Sequence, residues 1–460
     1  MDRSVKLGNI KHSGFFMAAL TGSITLCYLY IAFFTQPGTS LDWQHLLVIG
    51  VIYFLICLLD LPQAIYVLIF FCPLQFRGLR IVYGVFSVTD VMILELAFVW
   101  VVQKLSTRTK ILVDRKILFL AGWLFFSLLS CFVSIYLENS LEFLLRFFSV
   151  VAVFLIIRDQ IKEPGQIFRA VRALIYSAFF VSLYGLWEYF FIKNYVPVSI
   201  GGQSNNIKRV FTFFDQPSAT AAYLIIVIPL IVFFVMKEDR KIRNFLYAGI
   251  LFLSLCCLVI TFSRSGWLCF TLSAFCLPLK RRLRVLLVLF IIALVLLTGL
   301  RFNLLARGGS LRRKAFRYKA VASQSLKRPF LGYGLGAYKY LFLIDGQKLP
   351  PEQKGRSAHS LYLTVLIESG VFAFTFFMLF IVSTLKGILI PLKKIKDVAS
   401  QFRDVRIFNY CLLSSFFALF LMKFLETGLI KLSMWIMLAI FSVFPAIFVK
   451  EINGRMEYAK

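Results

Sequence analysis

The residues best suited to chemistry stand around one long basic stretch, and His359 is the first of them. It is one of three histidines in the 460-residue chain, and an apolar run begins two positions later at Leu361. A histidine can take a proton from a hydroxyl because the pKa of an imidazole, about 6.5, lies near neutral pH. His359 is therefore a candidate general base, with a purely interfacial histidine as the alternative.

Arginines could hold an anionic group beside this base. Arg264 lies between two apolar runs, in the stretch TFSRSGWL (261–268). A charge there is costly unless it snorkels to headgroups or serves a function. Arginine suits phosphate because its planar fork donates two hydrogen bonds to phosphate oxygens. The predicted anion-binding residues, all on one predicted side of the membrane, are Arg209, Arg264, Arg312, Arg313, Arg317 and Arg356.

Polar residues near His359 complete the candidate site in a supporting or acceptor-side role. Ser360 and Tyr362 follow it directly, and Tyr333 lies in the turn Gly332–Gly334 of the stretch KRPFLGYGLGAYKY (327–340). The alternating glycines of this stretch follow no predicted strand and match no dinucleotide or phosphate-loop motif. We therefore expect a tight turn that folds back on the membrane, and no nucleotide fold.

Acidic residues inside apolar runs offer other functions. Glu188 or Glu368 could replace His359 as the base, leaving the histidine to orient an acceptor. Helical spacing puts Glu368 about two and a half turns inside the membrane, which favours Glu188 of the two. Intramembrane carboxylates are also typical of transporters, so a transporter remains an alternative.

Apolar runs must position these residues. The chain is 60% hydrophobic and has a mean hydropathy of +0.83, whereas soluble domains are about half apolar. Runs near the roughly 20 residues that cross a bilayer recur from end to end. These features predict an all-α, polytopic transmembrane bundle of about 12–14 spans with one large external loop. The predicted spans are 15–34, 46–59, 63–73, 88–103, 117–137, 141–157, 172–191, 218–236, 246–262, 265–279, 285–300, 361–385, 407–425 and 429–449.

Charge sets the orientation of this bundle. The net charge is +29, and alternate loops between the predicted spans are strongly basic, as in Lys104–Lys116 and Lys386–Arg406. Lys and Arg collect in cytoplasmic loops, so both termini are predicted to be cytoplasmic and nucleic acid is not an expected partner.

All nine cysteines lie in or beside apolar segments, which favours packing over disulfides or zinc.

One predicted external loop breaks the charge rule. Residues 301–360 carry thirteen Lys and Arg but only two acids, Asp345 and Glu352. Long loops are translocated with less regard for charge, so the topology survives. Anionic headgroups could account for the charge, and an anionic substrate is the functional alternative. The predicted parts are a bundle at 1–300, this loop with short helices at 301–360, and the last spans with a cytoplasmic tail at 361–460.

The ordered motifs resemble the O-antigen ligase/polymerase superfamily. TFSRSGWL resembles its SR-G hairpin, PFLGYGLGAYKY its P-x-x-G-x-G turn, and His359-Ser360 is followed by nine residues and then Gly370, as in its His-x10-Gly motif. RVFTFFDQPSATAAYL (209–224) resembles the segment before a mid-chain span. The chain departs from the ligase pattern at Ala373, where Gly, Thr or Tyr is common, and at Ser360, where Asn is more frequent.

The resemblance implies an inverting, C-type glycosyltransferase of the bacterial inner membrane. It would move a glycan from undecaprenyl pyrophosphate to an acceptor hydroxyl at the periplasmic face, with neither nucleotide nor metal as cofactor. Ligation to lipid A-core during lipopolysaccharide biosynthesis is favoured by the His-Ser-x9-Gly match. Polymerisation onto a second lipid-linked repeat is the alternative acceptor choice. A flippase of lipid-linked oligosaccharide is the alternative from another class.

Overall fold

Apolar helices dominate the computed structural model of the chain. It describes residues 21–23, 43–76, 78–81, 84–110, 113–192, 195–200, 203–214, 216–280, 282, 289, 318–319, 321–344, 359–394 and 403–458. The described helices are α1 (Trp43–Leu59), α2 (Leu61–Phe71), α3 (Val88–Thr107), α4 (Arg115–Phe132), α5 (Leu137–Gln160), α6 (Pro164–Phe191), α7 (Pro217–Lys237), α8 (Lys241–Ile260), α9 (Arg264–Ala274), α10 (Tyr338–Ile344), α11 (Leu361–Lys394), α12 (Arg403–Lys423) and α13 (Leu432–Tyr458). The predicted polytopic helical bundle is confirmed.

Two short antiparallel hairpins, which the sequence analysis did not predict, interrupt the helices. One pairs β1 (Gly78–Ile81) with β2 (Gly84–Ser87), and the other pairs β3 (Tyr195–Ile200) with β4 (Gln203–Lys208). Each hairpin lies between two helices, α2 and α3 in one case and α6 and α7 in the other. They therefore leave the helical class of the protein unchanged.

Helices occupy twelve of the fourteen predicted spans, and the spans 15–34 and 285–300 lie largely outside the described residues. Within the described ranges, eight helices are long and apolar enough to cross a membrane by themselves: α4, α5, α6, α7, α8, α11, α12 and α13. The predicted spans 46–59, 63–73 and 265–279 correspond to the shorter helices α1, α2 and α9. The chain is thus a multi-pass membrane protein.

A cluster of large aromatic side chains joins the N-terminal and C-terminal helices. Trp123 of α4 is fully buried, and its ring lies 4.9 Å from Phe147 of α5, 4.6 Å from Phe377 of α11 and 5.9 Å from Trp435 of α13. Such rings bury large areas and pack in tilted and offset geometries. This core holds α11, which begins beside the candidate base, against α4 and α5.

Helix α12 connects the two groups of motif-bearing helices. It packs against α7, α9, α11 and α13. Ser415 of α12 donates a 2.7 Å hydrogen bond to the carbonyl of Ile226 in α7, and Ser414 donates one of 2.9 Å to the carbonyl of Ser273 in α9. Because α9 begins at Arg264 and α11 begins just after His359, one helix positions the elements that carry both residues.

Candidate functional site

Helix α11 is broken at Gly370, and a glycine-rich turn fills the break. Gly370 has a φ of 78° and a ψ of −178°, which no helical residue adopts. The carbonyls of Ile367 and Glu368 accept hydrogen bonds from the amides of Tyr333 and Gly334, at 3.0 and 2.9 Å, and the amide of Val371 donates to Pro329. Backbone groups freed within a membrane helix must find partners in the protein, and the turn supplies them.

Close approach explains the glycines of both motifs. A Cβ at Gly370 would collide with the carbonyl oxygen of Phe330, and one at Gly332 would lie 2.5 Å from the carbonyl oxygen of Glu368. Gly332 and Gly370 also have positive φ angles, which glycine adopts without strain. The P-x-x-G-x-G turn and the last glycine of the His-Ser-x9-Gly motif are therefore two halves of one interlocked structure.

The connection between α4 and α5 also holds the glycine-rich turn in place through side-chain hydrogen bonds. Ser130 donates a hydrogen bond to the carbonyl of Glu368, Asn139 donates one of 2.9 Å to the carbonyl of Gly336, and Ser140 donates one of 2.7 Å to the carbonyl of Leu335. These small polar side chains lie at the end of one helix and the start of the next. Ser130 thus satisfies a carbonyl at the break in α11, and Asn139 and Ser140 satisfy two carbonyls of the turn.

The side chain of Glu368 is part of the same structure. It is only 4% exposed, and its two carboxylate oxygens accept from the amides of Gly336 at 2.9 Å and Tyr338 at 3.3 Å. Hydrogen bonds to a charged acceptor are stronger than neutral ones. Glu368 therefore fixes the turn and the start of α10, and its geometry is that of a positioning residue.

Glu188 performs the equivalent task for the other motif segment. It is 2% exposed near the end of α6, and its carboxylate accepts from the amide of Thr212 at 2.7 Å and that of Phe211 at 3.2 Å. One turn earlier, a Cβ at Gly185 would meet the side chain of Thr212 at 3.0 Å. The glycine and the carboxylate together dock the loop 209–214 on α6.

Arg209 connects this loop to the hairpin between α8 and α9. Its Nε donates to the carbonyl of Thr261 at 3.1 Å, and its Nη2 donates to the carbonyl of Phe262 at 3.2 Å. The guanidinium therefore braces the hairpin two residues before Arg264. The structure thus brings together the regions of Arg209 and Arg264, two of the arginines predicted from the sequence.

Arg264 is exposed at the first position of α9. Ser263 caps this helix by accepting from the amide of Gly266 at 3.2 Å. A Cβ at Gly266 would lie 2.6 Å from the Cβ of Ala221, so the glycine lets α9 pack tightly on α7. A cation at a helix N-terminus opposes the helix dipole, whereas an anion there is favoured by both the dipole and the guanidinium.

His359 precedes the first turn of α11 in a left-handed conformation, with a φ of 54°. The carbonyl of the buried Ser360 accepts from the amide of Thr364 at 3.0 Å and from its hydroxyl at 2.7 Å, which starts the helix. His359 itself is partly exposed. The imidazole thus belongs to a residue at the edge of the bundle, next to a rigid helix start.

Strained backbone marks three of the four motif segments. Among the described non-glycine residues, four have positive φ, and three of them are Thr212, Phe262 and His359. A β-branched or bulky residue rarely adopts this conformation, and such outliers cluster at functional sites. Each of the three lies in a different motif segment, and of the three only His359 is a predicted site residue.

Tyr362 joins α11 to the end of α12. Its hydroxyl donates to the carbonyl of Phe420 at 3.2 Å, and its ring stacks on Phe424 at 4.2 Å. The hydroxyl of Tyr318 donates to the carbonyl of Phe424 at 3.0 Å, so the basic loop reaches the same point. Tyr362 therefore holds the start of α11 against the end of α12, and its predicted supporting role stays a prediction.

A buried charge cluster closes the turn between α12 and α13. Lys423 is 2% exposed, with its Nζ 3.7 Å from the Glu426 carboxylate, and Lys431 forms a second ion pair with Glu426. Both lysines thus pair with the same carboxylate. The cluster has two cations for one anion beside the Tyr362 stack.

Within the described ranges, no group of three or more His, Cys, Asp and Glu side chains is placed to hold a metal ion.

The remaining predicted site residues divide into two groups. Tyr333 is buried in a small core with Val321 and Ile367, and Arg328 lies 5.0 Å from its ring, so it packs the turn. The arginines of the basic loop lie outside the described residues; they are Arg312, Arg313, Arg317 and Arg356. The roles predicted for these four stay predictions.

A broken helix, an interlocked glycine turn and an arginine-braced hairpin are thus the features of the candidate site in this polytopic membrane protein. The family model described as O-antigen ligase matches residues 249–378, from α8 through the hairpin and the basic loop into α11. This match confirms the resemblance to the O-antigen ligase superfamily and supports a function of the ligase or polymerase type in general. A comparison with curated proteins gives no match.

Proposed function

We propose that the protein transfers a glycan from undecaprenyl pyrophosphate to an acceptor hydroxyl at the periplasmic face of the inner membrane, and that the acceptor is lipid A-core. The observation that carries the proposal is the O-antigen ligase match over 249–378, which contains Arg264 and His359. Both residues lie at starts of helices that pack against α12. Arg209, which braces the Arg264 hairpin, belongs to the same site.

The proposed reaction is a single displacement with inversion. The imidazole of His359 takes the proton of the acceptor hydroxyl, and the hydroxyl oxygen attacks the anomeric carbon of the glycan. The bond from that carbon to the pyrophosphate oxygen breaks, and undecaprenyl pyrophosphate leaves with the electron pair. Arg264 and the predicted loop arginines would stabilise the negative charge of this leaving group through charge-assisted hydrogen bonds.

The geometry of the glutamates supports His359 as the base. The carboxylates of Glu188 and Glu368 both accept two backbone amides and are almost fully buried. A base needs a lone pair within reach of the acceptor hydroxyl, about 2.6–3.2 Å away. A partly exposed imidazole at the start of α11 meets this need better than either buried carboxylate.

Deletion of the gene, with analysis of surface polysaccharide, tests the function and the choice of acceptor. Loss of a ligase should leave full-length polymer on the undecaprenyl carrier and core without polymer. Single repeats on the core would instead identify a polymerase. Subunits retained inside the cell would identify a flippase and overturn the transferase proposal. Restoration by the wild-type gene is the control.

A further inference from the structure

A cavity of about 310 Å³ between α2 and α6 lies apart from the site described above. Gln63 and Tyr66 line it near the start of α2, and the rings of Phe70, Phe71 and Phe180 line it further along; Thr21 and Tyr176 also contribute. The rings of Phe70 and Phe180 meet edge to face at 5.5 Å. The cavity thus changes along its length from apolar to polar, as a lipid molecule does.

The polar part contains an unsatisfied group. Tyr66 is 7% exposed, and its buried hydroxyl has no hydrogen-bond partner among the described residues. Buried tyrosine hydroxyls are normally hydrogen-bonded, because an unmade bond is costly. The exposed Arg169 of α6 lies 5.8 Å from the centre of the Tyr66 ring. A phosphate at the mouth of the cavity would have both a hydroxyl donor and a guanidinium.

Two carboxylates stand at the same end. Tyr66 pairs with Arg169 and Phe70 with Phe180, so α2 and α6 run parallel. Their N-cap residues, Asp60 and Glu163, are exposed and each lies six positions before one member of the Tyr66–Arg169 pair. Asp60, Glu163 and Arg169 all interact electrostatically with Tyr66. The mouth therefore presents one cation and two anions close together.

We propose that this cavity binds one aminophospholipid from the cytoplasmic leaflet, the leaflet on the side of the loops Lys104–Lys116 and Lys386–Arg406. Arg169 and the Tyr66 hydroxyl hold the phosphate, Asp60 and Glu163 hold the headgroup ammonium, and an acyl chain lies along Phe70 and Phe180. A lipid without an ammonium leaves both carboxylates beside an anion, which is unfavourable. The inference is independent of glycan transfer.

Native mass spectrometry of the purified full chain tests the proposal with phosphatidylethanolamine and phosphatidylglycerol of matched acyl chains. The unaltered protein should retain phosphatidylethanolamine preferentially. Tyr66→Phe removes only the hydroxyl and should lower this retention by at least about tenfold, the effect of one hydrogen bond to a charged group. Arg169→Gln should lower it further. Arg243→Gln, which changes a cation of α8 paired with Glu238, is the matched control and should change nothing.

A double variant distinguishes recognition of the headgroup ammonium from recognition of the phosphate. Asp60→Asn with Glu163→Gln should abolish the preference between the two lipids while both still bind, and asparagine preserves the cap of α2. Equal retention of the two lipids by the unaltered protein would overturn the proposal. Undiminished phosphatidylethanolamine retention by the combined Tyr66→Phe and Arg169→Gln variant would also overturn it. The retained lipid would then be non-specific annular lipid around the protein.

Discussion

The Glu368 carboxylate and the backbone amide of Gly336 form a buried 2.9 Å hydrogen bond between the broken helix and the turn that fills the break. The two residues lie in different family motifs. A side chain inside a membrane helix thus fixes the backbone of a loop segment. Because Glu188 fixes the loop before α7 in the same way, the site is organised by two buried carboxylates and not only by packing.

Glu368→Gln tests this positioning role. A glutamine replaces one acceptor oxygen by an amide group, which cannot accept from both Gly336 and Tyr338. We expect transfer activity to fall at least tenfold, and stability to fall by about 1–3 kcal/mol because a buried donor loses its partner. Activity of the purified variant and its thermal melting in detergent measure both effects.

The two measurements together separate the possible roles of Glu368. Loss of all activity with unchanged melting would show that Glu368 is the base and not a positioning residue. Glu142→Gln, which alters an exposed carboxylate paired with Arg146 on α5, is the control and should leave both quantities within error.

Gly370→Ala tests the interlock of helix and turn. The added Cβ would meet the carbonyl of Phe330, and alanine is strained at a φ of 78°. We expect the turn to be expelled and transfer to be lost, together with a lower melting temperature. Gly249→Ala on α8 is the control: its Cβ would meet nothing within 4 Å, so it should be neutral or stabilising by up to about 1 kcal/mol. Normal turnover by Gly370→Ala would contradict the interlock.

The sequence indicated which segments form the candidate site but not how these segments are held together. Charge patterning and apolar runs identified the spans, because both follow from the bilayer. The hydrogen bonds of Glu188 and Glu368 depend on which backbone amides approach them, and no residue type reveals that. The β3–β4 hairpin did have a signal, the Gly201-Gly202 dipeptide between its strands, but the polar strand that follows lacks the alternation that predicts a strand.

Arg264→Lys and Arg209→Lys should fail in different ways. Arg264 is exposed and proposed to bind the pyrophosphate, so lysine should lower activity strongly through loss of the bidentate fork while melting stays unchanged. Arg209 bridges two carbonyls of the hairpin, so lysine should lower both activity and melting temperature. Turnover and melting of the purified variants give the comparison.

Two further variants serve as comparisons for these arginines, one away from the candidate site and one within it. Arg146→Lys, on the exposed face of α5, should change neither quantity. Arg312→Ala should reduce activity less than Arg264→Lys, because neighbouring cations of the basic loop can substitute. An Arg264→Lys enzyme with normal activity would reject the bidentate role.

The proposed orientation predicts the positions of two reporter fusions. Basic loops favour the cytoplasm, and Lys394 ends α11 at the side of the strongly basic segment Lys386–Arg406. A reporter fused at Lys394 should therefore be cytoplasmic, and one at Gly346 in the basic loop should be periplasmic. Alkaline phosphatase and a cytoplasmic fluorescent protein read the two compartments. Gly346 in the cytoplasm would place the whole candidate site on the wrong face for a periplasmic acceptor.

His359→Gln separates proton transfer from positioning. A sugar hydroxyl is a poor nucleophile near neutral pH, and a positioned base typically contributes about 10²–10⁴-fold. Glutamine can still hydrogen-bond to the acceptor but cannot take its proton, so we expect turnover to fall by about that factor. His359→Ala should abolish transfer, while donor binding and melting stay close to wild type, because the Ser360 carbonyl accepts from Thr364 at the helix start.

A purified assay with lipid-linked donor and lipid acceptor makes this test decisive. His45→Gln, outside the motif region, is the control and should retain full turnover. If His359 acts as the base, His359→Gln and His359→Ala lose rate at saturating acceptor. If it only positions the acceptor, His359→Gln keeps the maximal rate and at most weakens acceptor binding. Near-normal turnover by His359→Gln would therefore rule out general-base catalysis by His359. Glu188, the alternative that the sequence favours, would then be the candidate base.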